Sequence, residues 1–135
     1  MLAVWWRRPW LFAQVALADL AAQLISSGLK QWIGRARPSE VYATPKPLVN
    51  APHDNSFPSG HATASFACAT MLSFYAPRAA PAFFLLAAAI AWSRVYVGVH
   101  YPLDVLGGAL LGVLIALALS FLARRWRWRA GGNSA

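Results

Sequence analysis

Charge is scarce in this chain, and acid scarcer still. Of 135 residues 12% are charged, and only four are carboxylates, Asp19, Glu40, Asp54 and Asp104, against 12 lysines and arginines. With 59% hydrophobic residues beside so little charge, the composition is too apolar for an ordinary small soluble domain and too polar at fixed places for one buried core. A membrane protein fits both facts. Cysteine is nearly missing as well. Cys68 stands alone, which excludes an intramolecular disulfide, and its place inside an apolar run marks a packed thiol rather than a reactive one. No internal repeat and no second domain is visible. The formal net charge of +8 would suit nucleic acid, but the basic residues stand at the ends of apolar segments rather than along one polar face, so no nucleic-acid partner is expected.

What is present in quantity is apolar length. Four segments stand out: 10–29, 59–76, 81–97 and 103–122. Twenty residues at a rise of ~1.5 Å each cover the ~30 Å hydrocarbon core. Their continuous hydrophobicity predicts helices rather than the alternating strands of a β-barrel, so the expected fold is all-α, a multi-pass bundle of about four transmembrane helices. Gly108 and Gly112 form a small-xxx-small pair that permits close helix contact. The first segment, preceded by Arg7 and Arg8 and containing Ala16-Leu17-Ala18, also has the look of a signal peptide. Cleavage after Ala18 would leave DLAAQLISSGL, too short to span, and a crossing helix is the better reading.

Four crossings put both termini and the 76–80 turn on one side, with Arg7, Arg8, Arg78, Arg124, Arg125, Arg127 and Arg129. The other side holds Lys30, Arg35, Arg37, Lys46 and Arg94. The bias points the termini to the cytoplasm, and Trp5, Trp6, Trp10, Trp126 and Trp128 fall on the same side as interfacial anchors. The opposite, extracytoplasmic end then collects the unusual polar residues. Lys30, Arg35 and Arg37 follow the first segment, Ser59, Gly60 and His61 open the second, Arg94 ends the third, and His100 and Asp104 open the fourth. Asp19 lies near the middle of the first segment, where an unpaired carboxylate costs roughly 2.5–3.5 kcal/mol, so it should face the bundle interior with Gln23 as partner, in a structural or a functional role. His53 falls in the proline-rich loop 38–57 and is expected to be exposed.

Cations, a helix N-terminus and two imidazoles at one end describe a phosphate site with acid–base chemistry. Ser59 can cap the helix after Pro58, and Gly60, lacking a Cβ, lets backbone N–H groups approach an oxyanion at the positive end of the dipole. Arg37 and Arg94 offer planar forks to phosphoryl oxygens, and Lys30 adds a point charge. If 100–104 form a helical turn, Asp104 can accept a hydrogen bond from one nitrogen of His100 and leave the other free to attack, with His61 placed to protonate the leaving oxygen.

Lys30 followed after six residues by Arg37-Pro38, then Pro58-Ser59-Gly60-His61, then Ser93-Arg94 followed after five residues by His100 and after three more by Asp104, form an ordered set. This set resembles the type-2 phosphatidic acid phosphatase family, the membrane branch of a superfamily that also holds soluble acid phosphatases and vanadium haloperoxidases. The resemblance implies that Lys30, Arg37, Ser59, Gly60 and Arg94 bind phosphate, that His61 is the general acid, His100 the nucleophile forming a phosphohistidine, and Asp104 its orienter. It implies no metal and no cofactor. Membrane members usually carry six helices with the motifs on the last four, so this chain reads as a minimal form or as one truncated at its start.

The expected function is hydrolysis of a lipid phosphomonoester or diphosphate at the extracytoplasmic face, in the undecaprenyl diphosphate, phosphatidylglycerophosphate or phosphatidate class. Its expected partners are the lipid substrate and the bilayer. The alternative is an inactive helical membrane protein that keeps the phosphate-site motifs. A vanadate-dependent oxidase is disfavoured, since four spans suit lipid substrates.

Overall fold

A computed structural model describes residues 10–42, 46–50 and 52–125 in full, with the backbone of 9 and of 126–131. Trp5, Trp6, Arg7 and Arg8, and the side chains of Trp126, Arg127, Trp128 and Arg129, on which much of the orientation expectation rests, lie outside the described residues. Four main helices form: α1 (Pro9–Ile33), α2 (Gly60–Tyr75), α3 (Ala80–Tyr96) and α4 (Pro102–Gly131). Among the described residues there is no strand. A single helical turn, Pro38–Val41, interrupts the loop after α1, and a 3-10 turn, Pro77–Ala79, leads into α3.

Local chemistry sets the ends. Proline stands at or near the first position of α1, α3 and α4, where its missing N–H has no partner to lose. Gly34 closes α1 in the left-handed region (φ 66°), its N–H donating to Lys30 O at 3.0 Å, a backbone shape a side chain would strain. That reversal turns the chain toward Arg35 and Arg37. The second helix stops before Pro77, which disfavours helical geometry in Ala76.

At the centre α2 packs against the other three, while α1 and α3 do not touch among the described residues. Ser59, Thr63 and Met71 meet Gly108, Gly112 and Ser120 in order, so α2 and α4 run parallel. Tyr75 donates to Gln14 and Ser26 faces Gly60, so α1 runs antiparallel to both. Phe66 packs on Phe84, and Ala62 clusters with Ala91, which makes α3 antiparallel as well. The end of α1, the start of α2, the end of α3 and the start of α4 therefore share one end of the bundle.

The core is built from small side chains. Ala18 and Ala22 of α1 meet Ala67 and Met71 of α2 and Ile115 and Ala116 of α4. A Cβ on Gly108 would stand 2.6 Å from Ser59 O, and one on Gly112 would overlap Thr63 O and lie 2.9 Å from Ala67 N, so the glycine pair is where two backbones touch. The large apolar residues point outward instead: Leu103, Leu106, Leu110, Leu114, Leu117 and Phe121 make an exposed stripe along α4. Water would penalise such a stripe, and lipid does not. The stretches Trp10–Val41, Pro77–Tyr96 and Pro102–Arg125 are long and apolar enough to cross a membrane. The fourth expected span departs from this pattern. At 16 residues α2 is only about 24 Å long and is wrapped by its neighbours, so it needs neither the length nor the outer face of a lipid-exposed helix.

Asp19 also departs from expectation in part. Gln23 Nε2 donates to its Oδ2 at 2.7 Å, the pairing anticipated, but the pair sits at the edge of the bundle, with Asp19 half-buried and Gln23 exposed.

Candidate active site

The shared end of the bundle carries the polar cluster. The guanidinium of Arg37 is its hub, and the side chain is 1% exposed. Nε donates to Asp54 O at 2.7 Å, Nη1 to Val99 O at 2.8 Å, Nη2 pairs with Asp54 Oδ1, and Nη1 lies 3.4 Å from His100 Nε2. Lys30, in the last turn of α1, pairs with the second oxygen of the same Asp54 carboxylate. Two cations from different segments thus share one acid. Hydrogen bonds and charge from Lys30 and Arg37 outweigh the burial that would raise its pKa, and hold the Asp54 carboxyl below the usual carboxylate range.

His100 follows the turn made at Gly98, whose positive φ (78°) redirects the chain out of α3. The ring is buried, with Nε2 toward Arg37 and Nδ1 toward Asp104. Burial pushes the imidazole down and the Arg37 charge adds to it, while Asp104 opposes, which leaves a pKa of about 4. A value that low favours the neutral imidazole over the physiological range.

Residues 100–104 do not form the expected helical turn, because α4 begins at Pro102. Asp104 sits in its first turn and accepts the N–H of Tyr101 at 2.9 Å, half of a capping box. Its carboxylate is wholly buried and also accepts from Arg35 Nη1 at 2.7 Å and from the Ser56 hydroxyl. His100 Nδ1 stands 3.6 Å from Asp104 Oδ2, an ion-pair distance rather than a hydrogen bond, and it has no hydrogen-bond partner among the described residues. Asp104 thus joins Arg35, Ser56 and the Tyr101 backbone at this end of the bundle.

Ser59 occupies the position before α2, but its hydroxyl makes no cap. It is buried with no hydrogen-bond partner among the described residues. Its own N–H donates to Asp104 O at 3.0 Å, tying the start of α2 to the start of α4. The first α2 donor with an intrahelical acceptor is Thr63 N, bonded to Ser59 O at 2.9 Å, which leaves the N–H groups of Gly60, His61 and Ala62 without one. A Cβ at Gly60 would meet only Ser26 Oγ at 3.7 Å, so protein packing alone does not require glycine there. An idle hydroxyl and a helix N-terminus together suit a tetrahedral anion.

The structure brings Lys30, Arg37, Ser59, Gly60, His100 and Asp104 into this cluster. His61 and Arg94 flank it. His61 is exposed and feels the positive charges of Arg94, Lys30 and Arg37, and Arg94 is half-buried with its Nε 3.3 Å from Ser93 Oγ. His53 is exposed, as expected. Three participants have no role assigned from the sequence: Arg35, Asp54 and Ser56. Arg35, which also lies over the Tyr101 ring at 4.4 Å, is recognisable there only as a polar residue at this end of the bundle. Asp54, one of four carboxylates in a basic chain, was the available signal.

A family model described as the PAP2 superfamily matches residues 11–129. YbjG of Escherichia coli, named provisionally as an undecaprenyl-diphosphatase, is 42% identical over 81 residues, covering 59% of this chain and 38% of the relative. A lipid A 1-phosphatase of Rhizobium johnstonii is 34% identical over 128 residues, covering 92% of this chain and 51% of its own. The crystal structure of Aquifex aeolicus LpxE matches with a TM-score of 0.77 at 30% identity, over 87% of this chain and 72% of that one. The chain thus spans about half or less of the length of these two curated relatives.

Proposed function

Because this chain belongs to the PAP2 superfamily, we propose that it hydrolyses a lipid phosphomonoester or lipid diphosphate without a metal, through a phosphohistidine on His100. The observation that carries the reading is the buried His100 imidazole, with Nε2 against the Arg37 guanidinium and Nδ1 toward Asp104.

The phosphoryl group would sit among Lys30, Arg37, Arg94, the Ser59 hydroxyl and the N–H groups at Gly60, donors fixed before charge develops in the transition state. His100 Nε2 attacks phosphorus, the N–P bond forms and the bond to the leaving oxygen breaks, and His61 gives that oxygen its proton. Water then attacks the phosphohistidine, His61 takes a proton from it, and inorganic phosphate and free His100 are regenerated. Asp104 stabilises the imidazole as it gains positive charge.

We favour a polyprenyl diphosphate, the substrate class in the name of the E. coli relative, over phosphatidylglycerophosphate and phosphatidate. The excess of arginine and tryptophan near the termini supports cytoplasmic ends and an extracytoplasmic site.

The test is a panel of these lipids offered to the purified, detergent-solubilised protein with and without chelator and vanadate. Phosphate release that survives EDTA and is inhibited by vanadate is the expected result. Activity lost in EDTA and restored by magnesium would refute the mechanism, and a folded protein with no turnover on any lipid would favour an inactive membrane protein that keeps the phosphate-site motifs.

A further inference from the structure

Asp54 occupies the two cations that a phosphoryl group needs. One carboxylate oxygen lies on Arg37 Nη2 and the other on Lys30 Nζ, two oxygens on one centre, as a phosphoryl group would present them. A buried structural acid would be enclosed; this side chain is 51% exposed. Its backbone has anchors of its own. Asp54 O accepts from Arg37 Nε at 2.7 Å and Ser56 N donates to Arg35 O at 2.7 Å, so the carboxylate can rotate off the cations while the loop stays in place.

We propose that Asp54 is a specificity-determining residue, an internal competitor that a dianionic phosphoryl group displaces from Lys30 and Arg37 and a monoanionic phosphodiester does not. The proposal rests on the phosphatase reading above. A site at a membrane surface faces phosphodiester headgroups at far higher concentration than any monoester substrate. A diester would exchange one negative charge for one, at no electrostatic gain, and add a second ester arm. A terminal monoester or terminal diphosphate brings two charges to the same pair of cations and displaces the carboxylate with charge to spare. Substrate choice then comes partly from repulsion built into the unliganded site.

The experiment compares wild type, Asp54→Asn and Asp54→Glu in detergent micelles, with a lipid phosphomonoester as substrate, inorganic phosphate as product inhibitor and short-chain phosphatidylglycerol as the diester. In Asp54→Asn, which keeps the shape and drops the charge, inhibition by phosphate should tighten about tenfold, the scale of a lost charge-assisted competitor. Phosphatidylglycerol should leave wild type unaffected and inhibit Asp54→Asn, and inhibition of wild type by the diester would overturn the proposal. Asp54→Glu, which keeps the charge, should still exclude the diester. Thermal unfolding separates misfolding from altered binding, and if Asp54→Asn does not fold, Asp54→Glu decides: loss of diester exclusion in that charged variant overturns the proposal. Weaker phosphate inhibition with unchanged diester exclusion in Asp54→Asn also overturns it and makes Asp54 a positioning residue for Lys30 and Arg37. Wild type that neither hydrolyses the monoester nor responds to phosphate is a different failure, that of the phosphatase reading itself.

Discussion

Replacing Arg35 by methionine isolates what its ion pair with Asp104 does for His100. The wholly buried carboxylate would lose its 2.7 Å guanidinium contact and keep the Ser56 hydroxyl and the Tyr101 N–H. Methionine retains an apolar stem for the Tyr101 ring, so the main change is charge. Stripping one partner from a fully buried ion pair costs about 3–5 kcal/mol. Arg35 is 35% exposed and two neutral donors remain, which lowers the expectation to about 2 kcal/mol and a thermal midpoint roughly 5–10 °C lower. The charge left on Asp104 then acts on the imidazole. Asp104 raises the His100 pKa and in the wild type is outweighed by burial and Arg37, so with Arg35 gone the value climbs from about 4. A protonated His100 cannot attack phosphorus. On a soluble aryl phosphate, the acid limb of kcat/KM should therefore move up by about one pH unit in Arg35→Met, with Arg35→Lys between it and wild type. An acid limb that stays put while the midpoint drops would refute the coupling and leave Arg35 a scaffold residue.

Other perturbations test other parts. His100→Ala should abolish phosphoenzyme and turnover on every substrate, whereas His61→Ala should lose about 10²- to 10⁴-fold on a lipid monoester and much less on an activated aryl phosphate, whose leaving group needs no proton. Equal losses across leaving groups would make His61 a binding residue. Gly112→Ala places a methyl on Thr63 O, backbone that cannot rotate away, and should cost about 1–3 kcal/mol, read as a lower midpoint in detergent. An unchanged midpoint would mean that α2 and α4 part easily. Cysteines introduced at Ser39 or Asn50 should react with an impermeant thiol reagent in intact cells and one at Ser134 should not, and the reverse pattern would put the site in the cytoplasm.

Helix count, helix order and the end of the bundle where the polar residues gather follow from features a linear reading registers, namely apolar run length and the parity of crossings. The bonds inside the site do not. Arg35 meets Asp104 across 69 positions and Ser56 meets it across 48, pairings with no periodicity to announce them. His100 and Asp104 are four apart, which suggested a direct hydrogen bond, but Pro102 starts the helix two residues late and Asp104 turns to cap Tyr101. Hydrophobicity gave the 59–76 segment the same weight as the others, although the small residues along α2 suit a helix enclosed on several sides. The length of the loop after α1 concealed Asp54, since an acid between prolines reads as solvent-facing until its cations are located.

Eight of the thirteen buried apolar residues among those described are alanines: Ala18, Ala22, Ala62, Ala67, Ala69, Ala87, Ala91 and Ala116. A conventional alanine scan of this interior has almost nothing to remove and would return a nearly silent map, inviting the conclusion that the core tolerates anything. Sensitivity here has the opposite sign. Where α2 meets α4, around Ala62, Ala67 and Ala116, each added methylene must separate two helices whose backbones already touch at Gly108 and Gly112, and the displacement is delivered to Ser59 and Asp104, which link the same two helices. Scanning the interior with valine or leucine rather than alanine would show which volumes are fixed. It would also locate where enlarging a side chain far from the polar cluster alters any turnover before it alters the melting temperature.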